Sequence, residues 1–295
     1  MAGDELVDDF VPDDLVALSG DEVDLVDDDA EVGGPSPDES ENEAEKRKAE
    51  EKKRKRSAKE KERKAKKRKL KQAEEPSDDG TSIAARPPSA LATYIAAAQA
   101  KTFSEMSELE LEDLRVPESA IADTTAWTGP RTLDQLPEFI IKMLPRLHTR
   151  LAQKPKRHGA PTLLFLSGAA LRVADATRVL KDKRLRGDPE KGKAGEVAKL
   201  FAKHIRFEEH VSYLKRASVA AAAGTPGRVG KLLMESDALS VTALTHIILD
   251  VTHTDLKKRS LLSIPETRDE VFKTVLGAPE VLQGIKEGKI QVVLF

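Results

Sequence analysis

The 295 residues contain no cysteine. That excludes disulfides, thiolate metal sites and cysteine nucleophiles, and suits a reducing, intracellular setting. Aromatic residues make up 4%, with a single tryptophan. No apolar run approaches the roughly 18 residues needed to cross a bilayer, so no membrane partner is expected. No Gly-Lys-Thr or Gly-Lys-Ser occurs that would close a phosphate-cradling glycine loop. No Gly-x-Ser-x-Gly elbow suggests nucleophilic catalysis. The six histidines (His148, His158, His204, His210, His246 and His253) form no His-x-x-x-His pair. A metal site needs three or four convergent ligands, so no metal and no cofactor are expected, even with His253 and Asp255 close to Asp250. The acidic opening residues read neither as a secretory signal nor as an Arg-rich transit peptide.

What is present is charge, unevenly spread. The formal net charge of −2 conceals three regimes. Residues 1–45 hold 18 Asp and Glu and no Lys or Arg, and are expected to form an acidic disordered tail. Short apolar clusters there (Phe10, Val11, Leu15, Val16, Leu18) suit either a solvating tail or a peptide that orders on a basic partner. Residues 46–71 hold 17 Lys and Arg against 4 Glu. With neither Gly nor Pro, the stretch 46–72 reads as an exposed basic helix without an apolar stripe. Such a helix is drawn to nucleic acid by counterion release. Its clusters Lys52-Lys53-Arg54-Lys55-Arg56 and Lys66-Lys67-Arg68-Lys69 also read as nuclear import signals. Residues 73–90, with Pro76, Gly80, Pro87 and Pro88, read as a linker, and 91–295 as the folded domain.

Within that domain Leu91–Lys101 is helical, and a short helix starts near Ser104–Glu108. Trp127 reads as a packing anchor in a loop before a helix, Leu133–Leu151, that Pro145 interrupts. After Pro161 the pattern changes. Thr162–Leu166 is a continuous apolar run, as a strand buried on both faces requires. Ala169–Lys181 and Phe207–Arg216 have helical spacing. Ser218–Ala223 is a small-residue run, weak as a strand by propensity. Leu244–Val251 and Ile290–Phe295 are further apolar strands, separated by helical segments in Ile264–Ile285. Strands alternating with helices predict an α/β fold with a single parallel sheet flanked by helices on both faces.

Ligands gather at the carboxyl ends of such strands. Three loops are expected there: Ser167-Gly168, Gly224–Arg228 and Asp250–Asp255. In the second, Thr225 stands at a helix N-cap and Pro226 near the first turn. Free backbone N–H groups and the Arg228 guanidinium would then face a phosphodiester. The sequence Lys257-Lys258-Arg259 adds a surface charge patch suited to RNA.

From Lys199 to His253 the chain resembles the first RecA-like domain of DEAD-box RNA helicases. The residues carrying the likeness are Phe207-Glu208-Glu209-His210-Val211 and Thr225-Pro226-Gly227-Arg228, which matches motif Ib. Leu244–Asp250 resembles the strand leading to the Walker B motif. Several helicase features are altered. The Asp-Glu-Ala-Asp box is replaced by Asp250-Val251-Thr252-His253, so the glutamate that would orient attacking water is Val251. No glycine occurs between Arg131 and His158, and Gly192-Lys193 and Gly230-Lys231 lack the hydroxyl residue. The motif Ia arginine falls at Ala169, with Arg172 one turn on, and a glycine pair is replaced by Ala202 and Lys203. No second RecA domain is expected to follow. By this resemblance ATP-driven unwinding is not expected.

Together with Leu163–Arg172 (LLFLSGAALR), Val197–Glu209 (VAKLFAKHIRFEE), Gly224–Arg228 (GTPGR) and Leu249–Lys258 (LDVTHTDLKK), these departures resemble one family. It is the U3-containing 90S pre-ribosomal complex subunit family, whose members pair an acidic start and a Lys-rich middle with a degenerate DEAD-like domain. The resemblance implies association with the small-subunit processome in the nucleus and nucleolus. Its implied partners are pre-rRNA or snoRNA and pre-ribosomal proteins, the chain being a monomer within a large complex. A non-catalytic RNA-binding factor using Thr225, Gly227, Arg228, Arg172 and Lys257–Arg259 is the preferred reading. The alternatives are a residual ATPase using Asp250 with residues supplied in trans, and a subunit that docks only proteins.

Overall fold

A computed structural model describes residues 82–186 and 194–295. The acidic segment, the basic segment with Lys52–Arg56 and Lys66–Lys69, and most of the expected linker lie outside the described residues. The sheet is built from Leu163–Leu166 (β1), Glu196–Leu200 (β2), Val219–Gly224 (β3), His246–Leu249 (β4) and Gln291–Leu294 (β5). The helices, in chain order, are Pro88–Thr102 (α1), Glu108–Asp113 (α2), Leu136–Met143 (α3), Pro145–Leu151 (α4), Ala170–Leu180 (α5), Phe207–Leu214 (α6), Pro226–Met234 (α7), Pro265–Glu270 (α8) and Pro279–Lys286 (α9). A π-helical turn, Val271–Val275, follows α8.

The strands lie in the order β2-β3-β1-β4-β5, every pairing parallel, as the alternation of strands and helices predicts. Side chains alternate between faces along each strand, so the sheet feeds two cores. Leu164, Leu166, Ile247, Leu249 and Val292 pack on one side with Leu91 and Ile95 of α1, Val229 and Leu232 of α7, and Val281 and Ile285 of α9. Leu163, Phe165, Ile248, Val293 and Phe295 pack on the other with Phe139, Ile140, Leu147, Val173 and Leu180 from α3, α4 and α5. Trp127 belongs to this second core and meets the Phe139 ring edge-on at 5.5 Å between centroids. It is the packing anchor that its position suggested.

Three elements differ from the expectation. β2 was not anticipated, because Val197-Ala198-Lys199-Leu200 is a broken apolar run at the edge of the sheet, with Glu196 and Lys199 exposed. β3 forms despite its alanines because it is hydrogen-bonded between β2 and β1 and wholly buried; tertiary context overrides propensity. The short helix near Ser104 begins instead after Ser107, which forms a reciprocal capping box with Glu110. Ser104 has a serine rather than a carboxylate three residues on, so it cannot close that box. The folded unit also reaches back before Leu91, with Ala84 fully buried.

Two measurements probe this packing. Gly230 lets α7 approach the π-helical turn so closely that an added Cβ would overlap Thr274 at both Oγ1 and Cβ. Gly230→Ala is expected to cost about 1–3 kcal/mol in denaturant unfolding, overpacking outweighing the gain in helix propensity. His246, at the start of β4, has its pKa lowered to about 4 by burial, with the Arg150 charge adding to the effect. A histidine held neutral in the fold but free to protonate when unfolded stabilises above its unfolded pKa and loses that contribution as pH falls. Between about pH 6.5 and 4 the parent should therefore lose up to about 3 kcal/mol more unfolding free energy than His246→Gln.

Candidate functional site

All strands being parallel, the turns after β1, β3 and β4 open on one rim, as expected. Asp250 follows β4 directly and is almost fully buried. Both of its oxygens are engaged by Arg172, from the first turns of α5: Nε donates to Oδ2 at 2.9 Å and Nη2 to Oδ1 at 3.3 Å. A buried carboxylate needs a countercharge, and this one has it in bidentate form. Arg172 and Asp250, singled out separately as an RNA contact and a degenerate metal position, are thus each other's partners. Val251 is buried, and the Thr252 hydroxyl donates to the Arg131 carbonyl at 3.1 Å. His253 is half-buried. Among the described residues no group of three His, Asp or Glu is placed to hold a metal ion.

The turn at β3 places Thr225 and Pro226 as expected, but the Gly227 amide and Arg228 have partners within the protein. Thr225 is the N-cap of α7 in extended conformation, Pro226 opens the helix, and the Thr225 hydroxyl makes no capping bond. The amides at this N-terminus are not all free. Gly227 N–H donates to the Glu270 carboxylate, whose Oε1 occupies the place a Cβ on residue 227 would take. Burial raises the Glu270 pKa, and the Gly227 bond partly offsets this. Arg228 turns inward: Nη1 donates to His210 Nδ1 at 3.1 Å and Nη2 to the Ile205 carbonyl at 3.0 Å, beside the Phe207 ring. His210 Nε2 in turn donates to Lys199 O at 2.9 Å. Burial, then the Arg228 charge, lowers the His210 pKa, which keeps Nδ1 available as an acceptor.

A fourth loop opens beside these and was not anticipated. Ile121 pairs with Val292 through an isolated parallel bridge, and the chain then runs through residues 123–132 towards α3. This strand–loop–helix step is the context a phosphate loop requires. Its strand is a one-residue bridge, which leaves no apolar run in the sequence to mark it. The loop contains one glycine, Gly129. Arg131 is folded back within it: Nη2 donates to Thr124 O and Oγ1, and Nη1 reaches Leu294 O at the end of β5. Burial lowers its pKa to about 10.

In the turn after Thr254, Asp255 accepts from the amides of Lys257 and Arg259 and pairs with the Arg259 guanidinium at 2.7 Å. Arg259 is therefore committed within its own turn. Leu256, Lys257 and Lys258 are held outward and exposed. Glu270, His210 and Arg131 are the residues sequence reasoning missed; each acts on a group distant in the chain, and no spacing motif marks them.

The sequence model of a family described as U3-containing 90S pre-ribosomal complex subunit matches residues 36–295. Protein CMS1 of Chaetomium thermophilum is 36% identical over 188 residues, 64% of this chain and 71% of its own length. Protein cms1 of Schizosaccharomyces pombe is 32% identical, over 65% of this chain and 64% of its own length. Human Protein CMSS1 is 30% identical, over 56% and 54% respectively. Similar solved structures include a DEAD box protein from Methanococcus jannaschii, at TM-score 0.34 and 16% identity over 56% of this chain and 37% of that one. Another is Saccharomyces cerevisiae Dbp5, at TM-score 0.36 and 14% identity over 66% and 46%.

The ion pair at the rim yields a direct test. Arg172→Ala strands a buried carboxylate and is expected to cost about 3 kcal/mol in denaturant unfolding. Replacing both partners, as Arg172→Met with Asp250→Leu, should recover most of that loss. A double variant no more stable than Arg172→Ala would show that the pair is not what Asp250 depends on.

Proposed function

This chain belongs to the family of U3-containing 90S pre-ribosomal complex subunits, and from that premise we propose that it is a non-catalytic, RNA-associated assembly factor acting in the nucleolus. The observation that carries the proposal is the Asp250 carboxylate, buried and bonded through both oxygens to Arg172. Metal binding by a carboxylate so engaged would have to compete with a buried ion pair, and catalysis of phosphoryl transfer depends on metal positioning. Arg131 folded into the loop at 123–132 and Val251 after Asp250 support the same reading.

Contact with the RNA backbone would then come from groups left outward at the rim: the Thr225 hydroxyl, Lys257 and Lys258. Arg228 and Gly227 would join only if RNA displaced the Ile205 carbonyl or Glu270. The basic stretch 46–71 adds affinity without sequence preference and serves nuclear import. A second reading, docking of pre-ribosomal proteins on the same rim, is favoured by the exposure of Leu171 and Leu256 there.

Purified intact protein should show no saturable ATP affinity with or without Mg²⁺; measurable binding revives the ATPase alternative. Removal of residues 46–71 should weaken RNA binding and flatten its salt dependence, with a smaller loss from Lys257→Gln/Lys258→Gln. On the native particle, RNA crosslinks within residues 160–295 support RNA contact by the folded domain. Crosslinks confined to 46–71 favour protein docking.

A further inference from the structure

The opposite end of the sheet concentrates the charge that the rim has internalised. Where the strands begin, a cleft of about 560 Å³ opens between the last turn of α4, the connection into β1 and the residues leading to β4. Arg150, Lys154, Lys156 and Arg157 line it, with Thr162 and Thr242 contributing hydroxyls and no acidic side chain present. All four cations are exposed, and among the described residues none has an ion-pair partner. Elsewhere on the surface cations are commonly neutralised, as in Lys142–Glu138, Lys215–Asp237 and Lys273–Asp269. Four like charges around one concavity repel each other and focus a positive potential there. That cost is offset when an anion enters.

The lining also indicates which anion. It has no aromatic ring on which a base could stack, and its apolar part is one proline and one alanine. Recognition of single strands relies on stacking, and peptide docking on apolar anchors in pockets. Neither is provided. What remains is a set of point charges and hydroxyls suited to phosphate oxygens.

The frame that carries them is fixed. Gly159, in left-handed conformation, donates from its amide to Ala217 O, and His158 Nδ1 bonds Lys215 O at 3.2 Å. Gly195 is so close to Pro155 that a Cβ there would stand 2.7 Å from the proline ring. The cations are therefore presented by a tethered connection, which lowers the ordering cost of binding.

We propose that this cleft grips the phosphodiester backbone of double-helical RNA, by charge and without reading bases. The inference rests on the proposed RNA role for the identity of the polyanion, and on the geometry alone for its location. The two ends of the sheet would give the chain two separate RNA contacts.

The test uses the full-length chain with the basic residues between 46 and 71 changed to glutamine, so that the folded domain dominates. Fluorescence anisotropy with a short RNA duplex is followed across salt for this protein and for Arg150→Gln/Lys154→Gln/Lys156→Gln/Arg157→Gln on the same background. The four changes are expected to reduce the slope of log K against log salt by about 3 and to weaken low-salt binding at least about tenfold. The melting temperature should not fall, since all four side chains are exposed and their mutual repulsion is relieved. Lys257→Gln/Lys258→Gln should leave the cleft's share of the slope intact, and crosslinks to duplex should map to residues 150–157. An unchanged slope in the fourfold variant overturns the cleft while leaving the RNA role standing. Equal binding of polyglutamate, lost in parallel, overturns it in favour of an acidic protein partner. Absence of RNA binding by both this background and the unmodified chain overturns the cleft and the RNA role together.

Discussion

A carboxylate buried at the end of a central strand needs a hydrogen-bonded countercharge, and Asp250 has one in Arg172. Its partner Arg172 comes from the helix after the neighbouring strand, so the pair ties β4 to α5 across the β1 turn. Removing Arg172 would leave the Asp250 carboxylate buried without its counterion. The loops around it follow the same pattern. Glu270 takes the Gly227 amide, Arg131 fills the loop beside β5, and Arg228 is shared between His210 and the Ile205 carbonyl. Several groups that would face a ligand in an open α/β rim are satisfied here by the protein's own side chains, while the Thr225 hydroxyl makes no capping bond and the buried Ser167 hydroxyl has no partner among the described residues. Outward at this rim stand Leu256, Lys257 and Lys258.

Burial in this domain is organised by the alternation along each strand. Leu163 to Leu166 divide between two cores, and the helices of each core come from different stretches of the chain. The face carrying α1, α7 and α9 includes the close approach at Gly230. The face carrying α3, α4 and α5 holds the aromatic group of Trp127, Phe139 and Phe295.

Much of this was legible beforehand. The continuous apolar run at Thr162–Leu166 and the adjacent Ile247, Ile248 and Leu249 within Leu244–Val251 announced buried parallel strands, and Thr225–Arg228 turned from strand to helix on the expected rim. Composition could not reveal β2, whose edge position leaves two of its five residues exposed, or the pairing strand at Ile121, reduced to one bridge. The site's partners were less legible still. Arg172 and Asp250 are 78 residues apart and Arg228 and His210 are 18 apart, and no local spacing joins them. A helix N-terminus read from its own turn looks open; only the fold shows that Glu270 has come to sit on it. The four cations of the cleft lie together in residues 150–157, but the concavity that gathers them forms only once β1 and β4 lie side by side and bring Thr242 opposite.

The single tryptophan has an optical consequence. Trp127 is packed against Phe139 on one side of the sheet, with the Lys142 ammonium 6.0 Å from its ring. Indole emission from this chain therefore watches α3 and the loop that Arg131 fills, and is silent about the side where α7 meets the π-helical turn. Unfolding that begins on the silent side would be visible by circular dichroism before the indole registers it.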